Sequence, residues 1–355
     1  MNSQLLPLED AILLIPLEDS DRWDAALETV GQYDIYHRHE FHCLSKTANE
    51  EAVLFWQRIG ELCLVVPLIL RPLDTLPWYS GGEKDATSAY GYPGPLASRP
   101  TLSEAESSVF GDGLLKALGE QNIVSAFIRH HPLLTPPTML NDATTEIGPS
   151  VWIDLSRPIG EQMADCRKKH RYEVRRAAKD GVTVEHDKSF DELEVFVQMY
   201  EERMRALDAS QAYFFPNSYY TALTELADDA CQLWHARLNG VVIGSALFFI
   251  NDGVLQYHLS ASRAGYERVA PARSIIEAVR AWATEQENKW LNLGGGVGGQ
   301  EDSLYRFKAG FSSQRATFRV SRLIVDSERY AALCGTRDEA QETPRDEGFF
   351  PAYRA

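Results

Sequence analysis

Two stretches of this chain combine residue types at spacings that can do chemistry. The first runs from Arg167 to Lys179 and sets seven cations against a single acid, Glu173. At 3.6 residues per turn, His170, Val174, Ala177 and Ala178 share a narrow apolar face, and Arg171, Arg175 and Lys179 line up beside it. A cationic strip of this kind holds phosphates through charge-assisted and bidentate contacts. The bland alternative is a solvated helix face neutralised by surrounding acids. The second stretch, Leu291 to Phe311, places five glycines (Gly294, Gly295, Gly296, Gly298, Gly299) after an apolar strand. Such a loop lets a ligand approach the backbone closely, but it lacks the Lys-Ser/Thr ending of a nucleotide P-loop. Lys308 follows it, between Phe307 and the Gly310-Phe311 pair. An aromatic setting would partly desolvate an ammonium and strengthen its field on a nearby anion. A surface lysine between two core phenylalanines is the competing structural reading.

The elements that position these residues are readable from pattern. After a break between Pro132 and Pro149, marked by His131-Pro132, Pro136-Pro137 and the polar run Asn141 to Thr145, a linker or long loop is expected. Beyond it the periodicity predicts a strand Val151 to Leu155 and a helix Glu161 to Asp180 closed by Gly181. An extended segment Val182 to Glu185 and helices Asp191 to Leu207 and Pro216 to Leu226 follow. Asn239-Gly240 and Asp252-Gly253 punctuate a three-strand meander, Leu233–Leu238, Val241–Ile250 and Val254–Ser260. A helix Pro271 to Glu287, a strand Trp290 to Leu293, a short helix Ser303 to Lys308 and a strand Thr317 to Val325 complete this half. The first half reads as a weaker version of the same plan. It has a strand Ala11 to Ile15, a helix capped by Ser20, a strand Leu62 to Leu70, a helix Ser103 to Gly119 and a strand Ile123 to Arg129. Hairpins mixed with a crossover predict an α/β (α+β) fold with mixed sheets in two similar lobes over a groove. The expected boundaries are 1–148, 149–335 and a tail, 336–355.

Composition narrows the classes of function. The chain has 355 residues, 44% of them hydrophobic, and a formal charge of -16. A field of that sign disfavours generic nucleic-acid coating and leaves room for a locally basic site. Five scattered cysteines without a C-x-x-C pair fit free thiols in a reducing compartment. Cys166, beside the basic run, has no obvious base partner. Glu9 and Asp10 interrupt the apolar N-terminal stretch, and Pro67 breaks the longest apolar run, so a signal peptide and a membrane span are not expected. These features describe a cytoplasmic protein. His37 to His42 (His-Arg-His-Glu-Phe-His) departs from H-E-x-x-H and reads as a loop or strand edge rather than a metal site. No G-x-S-x-G elbow is present.

Several segments together resemble the FemAB-like (peptidoglycan-bridge) aminoacyltransferases, a double-GNAT branch of the N-acyltransferases. They are Lys168-Lys169-His170-Arg171 through Ala177, Tyr200 to Ala206 with Tyr213-Phe214-Phe215, and Tyr257-His258-Leu259-Ser260. Leu293 to Gly296, Ser303-Leu304 and Phe307-Lys308-Ala309-Gly310-Phe311 complete the set in the second half. Gly91-Tyr92-Pro93-Gly94-Pro95, Phe127-Ile128-Arg129 and His131-Pro132 extend it to the first. The resemblance implies two GNAT-like lobes and transfer of an aminoacyl group, usually from aminoacyl-tRNA, to an amine of a cell-wall precursor. It implies that Phe307 and Lys308 border the reacting acyl group and that Arg205 and Tyr213 touch the acceptor. No coiled-coil insertion is visible in the second lobe, and no first-lobe lysine matches the acceptor-phosphate site of the enzymes acting on nucleotide precursors.

The expected chemistry is N-acyl transfer without a resident cofactor or metal. Lys308 would stabilise the oxyanion or a donor phosphate, with Phe307 beside it and backbone N–H groups of Tyr257 to Ser260 assisting. His258 would relay the amine proton. Lys168, Arg171, Arg175, Gly295, Gly296 and Phe311 would hold the donor, and Arg205, Tyr213 and Tyr257 the acceptor. The alternative donor is acyl-CoA, with an amino sugar or small amine as acceptor in envelope or capsule polysaccharide assembly. Arg263-Ala264-Gly265-Tyr266-Glu267-Arg268 matches the Q/R-x-x-G-x-G/A loop of CoA users only in part. A non-catalytic binding module on the same fold is a third reading.

Overall fold

The computed structural model describes residues 12–226, 230–341, 344–346 and 348–355. The chain divides into two compact units, one built from 1–147 with 317–355 and the other from 148–316.

In the first unit, β1 (Leu13–Pro16) leads into α1 (Ser20–Val30). Ala11, where the first strand was expected to begin, lies outside the described residues. The helix is capped by Asp19, whose carboxylate accepts the Arg22 N–H, and not by Ser20. Its Trp23, Ala26, Leu27 and Val30 are buried at helical spacing. A 3-10 turn, Ile35–His37, precedes α2 (His39–Ser45), so the His-Arg-His-Glu-Phe-His segment is turn and helix rather than loop or strand edge. Next come β2 (Glu51–Ile59), β3 (Leu62–Pro72), β4 (Lys84–Thr87) and β5 (Leu96–Ala97). α3 (Glu104–Glu120) carries the capping box Ser103/Glu106 at its start, and β6 (Ile123–Arg129) follows.

The expected linker is different in kind. Asn141–Ala143 form a 3-10 turn, and Thr144 already opens β7 (Thr144–Asp154). The second unit continues with α4 (Ile159–Asp165), α5 (Lys168–Lys179), β8 (Thr183–Asp187), α6 (Leu193–Ala206) and α7 (Asn217–Thr224). The meander β9 (Cys231–Leu238), β10 (Val241–Asn251) and β11 (Val254–Ser262) turns where the sequence requires it. Asn239, Gly240, Asp252 and Gly253 all have positive φ. Then come α8 (Pro271–Glu285), β12 (Trp290–Gly294) and α9 (Ser303–Lys308). The single helix expected over Glu161 to Asp180 is broken. Cys166 is extended and Arg167 is non-helical (ψ 139°), and the Arg167 amide donates to Gly310 O at 2.8 Å instead of continuing a helical ladder.

The chain returns with β13 (Arg315–Ile324) and α10 (Ser327–Ala340). β13 pairs antiparallel with β6 (Val320↔Arg129 to Ile324↔Ser125), so this strand, expected in the second lobe, belongs to the first unit. The stretch read as a tail includes the end of α10. It also buries Tyr353, whose hydroxyl meets Ser125 Oγ at 2.7 Å and Asp85 Oδ2 at 3.3 Å.

Both units use one plan. In the first, β1-β2-β3-β4 are antiparallel neighbours, β4 and β6 are parallel, and β13 closes the far edge. In the second, β8-β9-β10-β11 are antiparallel, β11 and β12 are parallel, and β7 closes the edge. The fold is therefore α/β with a mixed sheet in each of two similarly built units. Each has its own core, one around Phe55, Leu68, Phe110 and Ile128, the other around Ile153, Phe248, Ile276 and Phe311.

Candidate active site

The second unit's sheet opens at its parallel pair. Only Val254↔Trp290, Leu255↔Leu291 and Gln256↔Asn292 are in register between β11 and β12, although β11 runs on to Ser262. Each strand is bulged against its other neighbour just past that point. Leu247↔Leu259 is followed by Phe248↔Tyr257, leaving His258 as the extra residue on β11, and Asn292↔Trp152 is followed by Gly294↔Val151, leaving Leu293 on β12. Bulges re-aim a strand and end its pairing. A buried polar knot holds the fork. Asn292 Nδ2 donates to Gln256 Oε1 at 2.9 Å, and Asn292 Oδ1 accepts the Ser150 hydroxyl at 2.9 Å and the Gly294 amide at 3.1 Å.

The glycine loop leaves this fork and folds back on itself. Asp302 caps α9 through Tyr305 N–H (2.8 Å) and also accepts the Val297 amide (3.1 Å). Those backbone N–H groups hold its carboxyl below the usual carboxylate range. A Cβ on Gly296 would lie 2.0 Å from Gln300 O, and one on Gly295 2.8 Å from Pro149 O, so packing alone requires glycine at both positions. Gly295 and Gly296 were expected to hold the donor. Their visible task is to shape the loop, and the carbonyl of Gly295 accepts the Lys308 ammonium at 2.8 Å. That lysine is half-buried, and desolvation lowers its pKa to about 8, opposed by Asp302. The cation over the Phe307 ring is Arg273, at 5.2 Å, so the loop rather than a phenyl cage accounts for the setting of Lys308.

The turn after Lys308 is fastened from below. The His170 ring, 4% exposed, packs against Phe311 (4.8 Å between centroids) and Phe307 (6.1 Å). A Cβ on Gly310 would lie 1.9 Å from His170 Cε1, so the Lys-Lys-His-Arg and Phe-Lys-x-Gly-Phe segments meet ring on glycine. Burial, together with Arg273 and other nearby cations, lowers the His170 pKa to about 4 and keeps the imidazole neutral. Arg280, fully buried on α8, donates to Phe311 O at 2.8 Å and pairs with Glu277 at 3.4 Å. Desolvation raises the Glu277 pKa, and Cys166 sits 3.8 Å from that carboxylate with its thiol pushed up to about 11.

The remaining expected residues are distributed differently. His258 Nε2 meets the Tyr219 hydroxyl at 2.9 Å, its ring lies on Phe249 at 4.1 Å, and burial lowers its pKa to about 3. Burial disfavours the imidazolium that the expected proton relay would pass through, and the ring is held in a hydrogen bond with Tyr219. Tyr257 donates to Ser260 Oγ at 2.5 Å, and its burial raises its pKa to about 12. Arg171 is tied to Met163 O at 2.7 Å, whereas Lys168 and Arg175 are exposed on α5. Arg205 forms an i,i+4 pair with Glu201 at 2.5 Å on the exposed side of α6, and Tyr213 is exposed in a 3-10 turn. The geometry explains neither as an acceptor contact.

Arg280, Glu277 and Asn292 were missed. Arg280 has a legible signal, a cation on the Ile276-Val279-Ala283 face of an amphipathic helix. In the first unit, His37 donates through Nε2 to Gly94 O (3.0 Å), and His131 Nε2 donates to Asp34 (3.1 Å) while its Nδ1 accepts the Leu133 and Leu134 amides. This ties together three segments noticed separately in the sequence. Among the described residues no His/Cys/Asp/Glu group could hold a metal ion, and no helix is long and apolar enough to cross a membrane.

Residues 164–309 match the family model described as an acetyltransferase (GNAT) domain. No curated protein matches the chain in sequence. Among solved structures, FemX superposes with a TM-score of 0.67 at 14% identity, covering 90% of this chain and 99% of its own. A conserved protein of unknown function from Bacteroides thetaiotaomicron gives 0.53 at 11% identity, covering 90% and 99%. The C-terminal domain of a putative lysylphosphatidylglycerol synthetase from Agrobacterium fabrum gives 0.50 at 13%, covering 85% and 91%. At these identities the likeness is one of fold. Residues 164–309 are therefore similar to GNAT acetyltransferase domains, in a chain whose fold resembles that of FemX.

Proposed function

We propose that this protein transfers an aminoacyl group from aminoacyl-tRNA to an amine of a cell-envelope precursor or small peptide in the cytoplasm. The observation that carries the reaction class is Lys308, drawn inward by Gly295 O beside the fork of β11 and β12. An aminoacyl ester is already activated, so the protein has to align the amine with the carbonyl and stabilise the oxyanion. The neutral amine adds to the ester carbonyl. The Lys308 ammonium and backbone N–H groups of β11 beyond Gln256 face the developing charge. Collapse breaks the ester C–O bond, and the proton lost by the amine ends on the ribose hydroxyl that leaves. With a pKa of about 8, Lys308 is mostly protonated at neutral pH and able to fill that role. The motif resemblance to FemAB-like enzymes and the FemX fold support the tRNA donor.

The second reading keeps the same centre and takes acyl-CoA as donor, with an amino sugar or small amine as acceptor. It is favoured by the acetyltransferase model that matches and by α8, whose first turn follows the Arg263–Ala270 loop without a side-chain cap and offers amides to a phosphate. Charged tRNA and acetyl-CoA, offered separately with a set of amines and followed by mass spectrometry, decide between them. Lys308→Ala is expected to lower kcat by about 10²–10³ with the fold intact by circular dichroism. Near wild-type turnover in that variant overturns the assignment of the reaction centre.

A further inference from the structure

α5 keeps an exposed cationic stripe that the reaction centre does not use. At 100° per residue, Lys168, Tyr172, Arg175 and Lys179 fall within about 60° of arc, on one edge of the helix. Tyr172 is 63% exposed, and the three cations are exposed as well. Lys169 pairs with Glu173 at 3.8 Å and Arg176 with Asp180 at 3.4 Å, whereas Lys168, Arg175 and Lys179 form no ion pair among the described residues. In a chain of charge -16, with 51 acidic residues to draw on, three unneutralised cations in one row are not the average surface. The opposite side of the helix is spent on the core, with His170 and Ala177 buried.

We infer that this stripe is a docking surface for the RNA body of the donor, a proposal that rests on the aminoacyl-tRNA reading above. Charge complementarity selects a polyanion, and the layout selects RNA over a lipid surface. A helix that lies in a membrane interface needs a wide apolar face free to enter it. Here that face is already buried, and what remains outside is a row of cations with one aromatic ring. Cations at Lys168, Arg175 and Lys179 span about 16 Å along the axis, enough to follow several phosphates of one strand, with the Tyr172 ring placed among them to stack on a base or ribose.

The test measures binding of an uncharged tRNA transcript to the full chain at several salt concentrations, beside vesicles of anionic phospholipid. The variants are the triple substitution Lys168→Ala/Arg175→Ala/Lys179→Ala and the single Tyr172→Ala, with Lys116→Ala as a control on another exposed helix. Thermal melting checks that each variant is folded. Three lost phosphate contacts are expected to weaken binding about a hundredfold near physiological salt and to flatten the log–log salt slope by about 2–3. Tyr172→Ala is expected to cost about tenfold. Wild-type binding to tRNA that the triple variant retains overturns the proposal, and so does binding of the wild type to vesicles but not to tRNA. Stripe-dependent tRNA binding by a protein that transfers only from acyl-CoA upholds the docking surface and overturns the donor assignment alone. Transfer from charged tRNA by a variant with unchanged affinity does the reverse.

Discussion

Gly310→Ala tests the join between the two segments that meet at the proposed reaction centre. Gly310 is not among the glycines with positive φ, so an alanine there is conformationally permitted. On backbone grounds alone the substitution would stabilise by about 0.4–1 kcal/mol, because alanine restricts the unfolded chain. The contact reverses the sign. The new Cβ would lie 1.9 Å from His170 Cε1, 2.4 Å from Nε2 and 2.5 Å from Nδ1, whereas ordinary contacts begin at 3.4 Å. The ring or the turn has to move by more than an ångström. Phe311 and Phe307 stand against the ring, and Arg280 and Arg167 hold the turn. Overpacking of this kind costs about 1–3 kcal/mol, which for a unit of this size lowers Tm by about 3–10 °C. A shift of that size at the residue after Ala309 also displaces Lys308, and a 1 Å misplacement of a reacting group costs about 10²-fold in turnover. Removing the ring should undo the clash. In a cycle of Gly310→Ala, His170→Ala and the double variant, melting is expected to show a coupling of about 1 kcal/mol or more, with the double variant more stable than the sum predicts. Additive losses within about 0.5 kcal/mol, or full activity in Gly310→Ala, would refute the ring-on-glycine account.

The pH profile of acyl transfer reports the role of Lys308. If its ammonium faces the oxyanion, activity falls as pH rises through about 8, where that group loses its proton. A rise through the same range would mean that the lysine acts as a base. The folded-state pKa lies below 10.5, so between about pH 8 and 10.5 the unfolded chain binds more protons and folding stability increases with pH. Lys308→Met removes that slope, so denaturant titration at pH 7 and at pH 10 is expected to show the wild type gaining stability with pH and the variant not. Arg280→Met leaves Phe311 O without its donor and Glu277 without its partner, at a cost of about 3–5 kcal/mol, and Glu277→Gln in the same chain is expected to restore part of it. Tyr353→Phe loses the bonds to Ser125 and Asp85 and should cost about 1–3 kcal/mol in the first unit, read by hydrogen exchange of β4 and β6.

The sequence made the second unit's meander legible because its turns are written in residues that tolerate positive φ, Asn239-Gly240 and Asp252-Gly253, and because α8 carries both a proline start and a clear apolar face. It misled wherever a tertiary bond overrode local pattern. The apolar periodicity of Glu161 to Asp180 runs through Arg167 without interruption, and only the carbonyl of Gly310, some 140 residues on, draws that amide out of the helix. β13 has the alternation of any strand, and nothing local tells which sheet will take it. The same limit applies to function. Five glycines after a strand describe a loop that can approach a ligand, and equally one that must fold under Asp302 to present a carbonyl to Lys308. The two differ in contacts made at distance, between Pro149 and Gly295 or between His170 and Gly310. The motif segments gain their meaning from that convergence. Lys-Lys-His-Arg supplies the ring, Phe-Lys-x-Gly-Phe the glycine and the cation, and α8 the buried arginine that holds their turn. A duplicated strand plan therefore need not duplicate chemistry. In the first unit Asp85 and Ser125, on the parallel strands β4 and β6, are bonded to Tyr353. In the second unit the parallel strands part after Gln256 and Asn292, and the loop that leaves that opening holds Lys308, on which the proposed reaction rests.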